Sequence, residues 1–158
     1  MDQRLNYGEV ASQGVSILME MEKYIRNSTV DHTLLELIKT RSSQINGCAF
    51  CLDMHTKDAR KNGESEQRLY GLSAWHDSPF YSDKERAVLE WTEAITKISE
   101  HQVHDEIYNR LLSFFSEKEV VDITLAIISI NSWNRLAISF KTVAGTYMPN
   151  SPVAQRGK

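Results

Sequence analysis

"LLELIKTRSSQINGCAFCLDMHTKDARKNGE" (residues 34–64) reads as two helices joined by a two-residue turn. Leu34, Leu35, Ile38 and Ile45 recur at helical spacing, and Asp31 just ahead of them has the side chain of an N-cap. Asn46-Gly47 is a turn signal. Beyond it a helix is expected from Cys48 to about Asn62, stopped at Gly63, because glycine enters the left-handed conformation that ends helices without a Cβ clash.

The same rhythm runs through the rest of the chain. In "VASQGVSILMEMEKYI" (10–25), Val15, Leu18, Met19 and Ile25 form an apolar stripe that only Glu22 interrupts. Glu20, Glu22 and Lys23 are expected on a solvated face. A short helix is expected over 65–72, then a loop in "SAWHDSPFYSD" (73–83), with Trp75 and His76 at its surface or at a site entrance. Ser82-x-x-Glu85 and Ser116-x-x-Glu119 are capping boxes that open two further helices, and "VHDEIYNRLLSFF" (103–115) lies between them. Trp91, in helical register with Val88 and Ile95, is expected in the core. The helix after Ser116 should be the longest, about 117–144. It is apolar on nearly every side from Val120 to Ile130, so it is expected to be central, with Gly145 and Pro149 ending it. Asn131, Asn134 and Arg135 on that helix should find helix-terminus carbonyls or carboxylates. Residues 146–158 read as a loose tail. Sustained apolar/polar alternation is missing. The expectation is one all-α domain over residues 1–158, a compact helical bundle of about six to seven helices.

Composition narrows the function. The 158 residues are 41% hydrophobic and 25% charged, an ordinary globular balance. Eighteen Lys and Arg against 21 Asp and Glu give a net charge of −3 and no basic block. Neither nucleic acid nor an anionic membrane is an expected partner. The most apolar run, "VVDITLAIISI" (120–130), contains Asp122 and is far shorter than the ~20 residues of a bilayer span. The start, "MDQRLNYGEV", lacks a signal-peptide pattern, so the cytoplasm is the expected compartment. In that reducing environment a cysteine pair is more often catalytic or metal-binding than a structural disulfide.

Both cysteines lie in "NGCAFCLDMH" (46–55). At ~100° per residue, Cys48, Cys51 and His55 fall within roughly 60° of one another on a helix. The bland reading is two buried, unreactive thiols beside a hydrogen-bonded histidine. Structural zinc requires four ligands, and His32, His76, His101 and His104 supply no second motif. Haem attachment needs Cys-x-x-Cys-His, but residue 52 is leucine. A thioredoxin motif needs a βαβ context. A redox dithiol on a helical scaffold is what remains, with no cofactor implied.

That combination resembles the alkyl hydroperoxidase D-like branch of the carboxymuconolactone decarboxylase family: a Glu, then Cys-x-x-Cys-x-x-x-His, then Ala-x-x-x-Gly, here Glu36, Cys48, Cys51, His55, Ala59 and Gly63. It extends through "SDKERAVLEWTEAIT" (82–96) and "IISINSWNRLAIS" (127–139). The resemblance implies a thiol-dependent antioxidant enzyme that reduces hydroperoxides through a dithiol/disulfide cycle. Cys51 would be the peroxidatic cysteine and Cys48 the resolving one, with His55 and Glu36 relaying protons. The helix dipole favours thiolate at Cys48, whereas His55 at i+4 stands better for Cys51; the second consideration is taken to decide. Some family peroxidases carry a further histidine between the cysteines, where this chain has Phe50. The resemblance also implies a dithiol reductant, protein or small thiol, and a homo-oligomer, trimer or hexamer. Alternatives are a carboxymuconolactone decarboxylase-like lyase, whose branch lacks the Cys pair, and a redox-sensing or metal-binding oligomeric protein. For Glu36 the alternative is an exposed i,i+3 partner of Lys39.

Overall fold

The computed structural model describes residues 2–149. Among them the chain forms eight α-helices: α1 (Tyr7–Val10), α2 (Ser12–Arg26), α3 (His32–Asn46), α4 (Ala49–Lys61), α5 (Glu66–Gly71), α6 (Asp83–Thr96), α7 (Asp105–Leu112) and α8 (Glu117–Ser139). A 3₁₀ helix, Leu72–Asp77, follows α5. The all-α class is as the sequence implies, and the count exceeds six to seven because short pieces such as four-residue α1 are separate. No helix among the described residues is long and apolar enough to cross a membrane.

The start signals act as read. Asp31 accepts the Thr33 N–H at α3. Ser82 and Ser116 each complete a reciprocal capping box with Glu85 and Glu119. Helix α8 stops at Ser139, earlier than expected. Lys141 takes a left-handed φ of 53°, and the Thr142 N–H returns to the Ala137 carbonyl. A non-glycine residue in that conformation leaves no mark in the sequence.

Helix α3 is the hub. It packs on α4, α6 and α8. Leu34, Leu35 and Ile38 enter the main core with Ile25, Val88, Ile123 and Ile127. Leu37, on another face, joins a second cluster with Leu72, Trp75, Tyr81 and Leu89. Trp75 is therefore core, not loop surface: the 3₁₀ helix turns its ring inward, where Nε1 donates to Glu93. Trp91 is also buried, as expected, and donates to Thr124. Of the tail read over 146–158, residues 150–158 lie outside the described residues. Tyr147 is anchored, its hydroxyl donating to the Asp58 carboxylate and its carbonyl accepting from Lys57.

Candidate active site

The α3–α4 joint builds the site. Gly47 adopts φ 70°, its N–H bonds back to the Gln44 carbonyl, and the next N–H, of Cys48, reaches the Ser43 carbonyl. This is the paired termination that a left-handed glycine permits. Cys48 therefore closes α3 with its backbone and opens α4 with its side chain: its Sγ is the N-cap acceptor of the Cys51 N–H, at 3.4 Å.

The two sulfurs lie 2.6 Å apart, within hydrogen-bond reach, and both residues are only 1% exposed. Their ionisation is unequal. The hydrogen bond with Cys51 brings the Cys48 thiol down from 9.0 to about 7, aided by the Cys51 N–H, the Asn134 side chain and the charge of His55, against the pull of burial. Cys51 moves far the other way, because its proton is held against Cys48 and because it is buried. One proton leaves the pair near neutrality and the other stays.

Glu36 and His55 meet as expected of a helix that runs back along its predecessor. The Glu36 carboxylate lies 2.9 Å from His55 Nδ1, with side chains 16% and 8% exposed. Thr33 and Glu36 from α3 and Ala59 and Asn62 from the far end of α4 line one small cavity, consistent with that antiparallel course. Burial would raise the Glu36 carboxyl, but the His55 charge and hydrogen bond hold it below its ordinary 4.5. The alternative of an exposed Glu36 paired with Lys39 does not hold. Lys39 is itself buried and binds Glu22 at 2.8 Å. Glu22, expected on a solvated face, lies inside and also accepts from Ser129. Its interruption of an otherwise apolar stripe was the signal that marked it.

Polar spacing along α8 does not reveal the site's amide clamp. The Asn46 amide donates to Asn131 Oδ1 (2.9 Å) and to Asn134 Oδ1 (2.8 Å), and Asn134 donates to Ser43 Oγ (3.0 Å). These asparagines tie the Cys48 turn to α8 rather than binding helix-terminus carboxylates; the Asn131 amide also donates to the Ile127 carbonyl. Asn134→Leu keeps the volume but leaves buried partners unpaired. It is expected to cost about 1–3 kcal/mol of stability and to raise the pH midpoint of thiol alkylation above about 7. An unchanged midpoint would remove Asn134 from the thiol environment.

Apolar side chains cover the sulfurs. Ile130 and Ala137 pack directly with them, flanked by Phe50 and by Trp133, whose buried Nε1–H has no partner among the described residues. Phe50 thus occupies, as packing, the place where some relatives are expected to have a second histidine. Tyr7 approaches from α1 against Phe140 (ring centroids 5.8 Å), and its phenol is pushed up by burial and by the two cysteines.

The fold and the site define a class: an all-helical protein with a buried Cys-x-x-Cys dithiol at a helix joint and a Glu–His pair beside it. The sequence profile of the carboxymuconolactone decarboxylase family matches residues 14–94, so the chain belongs to that family. It is 52% identical over 139 residues to the uncharacterized protein YdfG of Bacillus subtilis, covering 88% of this chain and 95% of that one. Among solved structures it is similar to ATU0492 of Agrobacterium tumefaciens, a protein of unknown function suggested to be the antioxidant defence protein AhpD. That match has 42% identity and a TM-score of 0.89, covering 92% of this chain and all of the other. An uncharacterized peroxidase-related protein of Ralstonia eutropha with an alkylhydroperoxidase AhpD core shares the fold at 15% identity. Its TM-score is 0.78, over 88% of this chain and 74% of the other.

Proposed function

We propose that the protein is a thiol-dependent peroxidase that reduces hydroperoxides by cycling Cys48 and Cys51 between dithiol and disulfide. The observation that carries this is the sulfur pair itself: 2.6 Å apart, with one thiol near 7 and a Glu–His pair alongside. Likeness to AhpD-type proteins supports it.

The resting charge orders the steps. The Cys48 thiolate attacks the outer peroxide oxygen and the O–O bond breaks. The departing alkoxide takes a proton from His55 and leaves as alcohol, with Cys48 a sulfenic acid. Cys51 holds its proton first through the hydrogen bond to the Cys48 sulfur, then through burial and the Cys48 charge; once Cys48 is a sulfenic acid, the first and last of these are removed. Cys51 then attacks the Cys48 sulfur, and hydroxide departs with the Cys51 proton as water. Two thiols supply two electrons and two protons, and an external dithiol restores them by exchange. This order reverses the one that the family resemblance implies, because Cys48 is the thiol brought down to about 7 while Cys51 is pushed up. Glu36, ionised, holds the Nδ1 proton of His55 so that Nε2 accepts and returns the thiol proton.

The test is steady-state consumption of an alkyl hydroperoxide with a panel of dithiol reductants. Consumption that requires both protein and dithiol is expected; no consumption with any of them would contradict the proposal. A homo-oligomer, trimer or hexamer, belongs to the same proposal. Val10, Ile17 and Val121 are exposed on the isolated chain, and light scattering that returned 18.1 kDa would refute assembly.

A further inference from the structure

The Glu36–His55 pair continues inward as a row of alternating charges. Lys39 is i+3 from Glu36 and so shares its face of α3. Its ammonium is clamped by Glu22 of α2 at 2.8 Å, and Glu22 is held in turn by the Ser129 hydroxyl of α8. The row Glu22, Lys39, Glu36, His55 therefore draws on three helices. The side chains of Lys39 and Glu22 are 8% and 13% exposed. A surface ion pair would need no explanation, but a buried one must offset the desolvation of both ions, and is weak evidence of stabilisation.

We propose that Lys39, clamped by Glu22, is a positioning residue that keeps Glu36 ionised, so that Glu36 holds the proton of His55 on Nδ1 and leaves Nε2 to accept from the dithiol. The proposal rests on the reading of Glu36 and His55 as a proton relay. A carboxyl group this buried would otherwise tend to protonate. A neutral Glu36 would donate its own O–H to Nδ1, which places the imidazole proton on Nε2 and turns the base into a donor. The charges facing the row are consistent with this role. Glu36 and Glu22 both lie on the ionised side of their ordinary values, and Lys39 is held protonated by Glu22 and then by Glu36. Arg26 of α2 is also near Lys39, and Asp58 of α4 lies near Glu36 under the Tyr147 hydroxyl. From α8 the contact is the neutral Ser129, and on α6 the Glu93 carboxylate is bound to Arg41.

The experiment compares Lys39→Met, Glu22→Gln and the double variant. It reads the pH midpoint of thiol alkylation and the His55 tautomer by nitrogen NMR, neither of which depends on peroxide turnover. Lys39→Met removes the cation between two buried carboxylates whose charges repel, so Glu36 should protonate more readily. The alkylation midpoint should rise by roughly one pH unit, and the imidazole proton should move from Nδ1 to Nε2. Glu22→Gln removes the opposing carboxylate, so the midpoint should not rise and the Nδ1 tautomer should persist. The double variant should fall between them. If Lys39→Met does not fold, the double variant, which leaves no unpaired ion, carries the comparison with Glu22→Gln, and its midpoint should be the higher. Equal shifts in the two single variants, equal midpoints in the double and Glu22→Gln, or no shift at all would reduce the pair to a structural strut. Shifts as expected in a protein that consumes no hydroperoxide would refute the peroxidase reading and leave this inference standing.

Discussion

Glu36→Gln should slow oxidation of the dithiol by about 10²-fold or more, the usual scale for a lost general-base system, with the helical fold kept. Glutamine has the same shape and can still meet His55 Nδ1, now 2.9 Å from the carboxylate. What it lacks is the negative charge that keeps the imidazole proton on Nδ1 and stabilises the ring when it is charged. The measurement is the rate of sulfenate or disulfide formation against pH. The rate deficit should be largest near neutrality, where the Cys48 thiol gives up its proton. Stability provides an independent check of sign. The Glu36 carboxyl lies lower in the folded chain than its ordinary 4.5. Its contribution is therefore present in full above that ordinary value and is lost as pH falls through the folded one. Wild type should lose its advantage over the variant only on that acid side. Superimposable rate profiles would remove Glu36 from the chemistry and leave His55 acting without it.

Replacing either cysteine with serine should abolish disulfide formation and dithiol-driven peroxide consumption, but the two variants should differ in what they trap. In Cys51→Ser, the Cys48 sulfur keeps its N-cap position, the residue-51 N–H, Asn134 and the charge of His55. Peroxide should leave on it a sulfenic acid that a dicarbonyl reagent captures. In Cys48→Ser, Cys51 keeps Asn134 and its own N–H but stays buried and has no N-cap position, so it should behave as a buried, weakly ionised thiol, with less trapping at neutral pH than Cys48 shows. Mass spectrometry of the tryptic peptide of residues 42–57 distinguishes the outcomes. A sulfenic acid found on Cys51 in Cys48→Ser and absent from Cys48 in Cys51→Ser would restore the order implied by the family resemblance, and the cycle itself would survive.

The hairpin around the cysteines was legible because every device in it is local. Asp31, Asn46-Gly47 and Gly63 act through their own backbones, and a Cys-x-x-Cys-x-x-x-His spacing fixes one helix face whatever surrounds it. The return of Glu36 to His55 was also legible, since both lie about equally far from the turn. Three features were not. Lys141 ends α8 in a conformation that sequence assigns to glycine, so the helix stops before the end expected at Gly145. Trp75 looked like loop surface because a 3₁₀ turn has no periodicity long enough to show which side faces inward. The partners of Asn134 and Lys39 lie 88 to 91 and 17 residues away. Pairings of that kind are made by packing, which polar spacing along one helix cannot foretell. Glu22 lay between the two cases: its place in an apolar stripe was visible, but not the lysine that justified it.

The most direct test of dithiol chemistry is a stoichiometric titration. Reduced protein is mixed with increasing amounts of an alkyl hydroperoxide under anaerobic conditions, quenched with an alkylating reagent and weighed intact. The end point should come at one equivalent, with a loss of two hydrogens per chain, no alkylation of Cys48 or Cys51, and one molecule of alcohol formed per peroxide consumed. Addition of a dithiol should restore both alkylation sites. A protein that keeps two alkylatable thiols after excess peroxide, or that gains oxygen without losing the two hydrogens, would contradict a Cys48–Cys51 cycle.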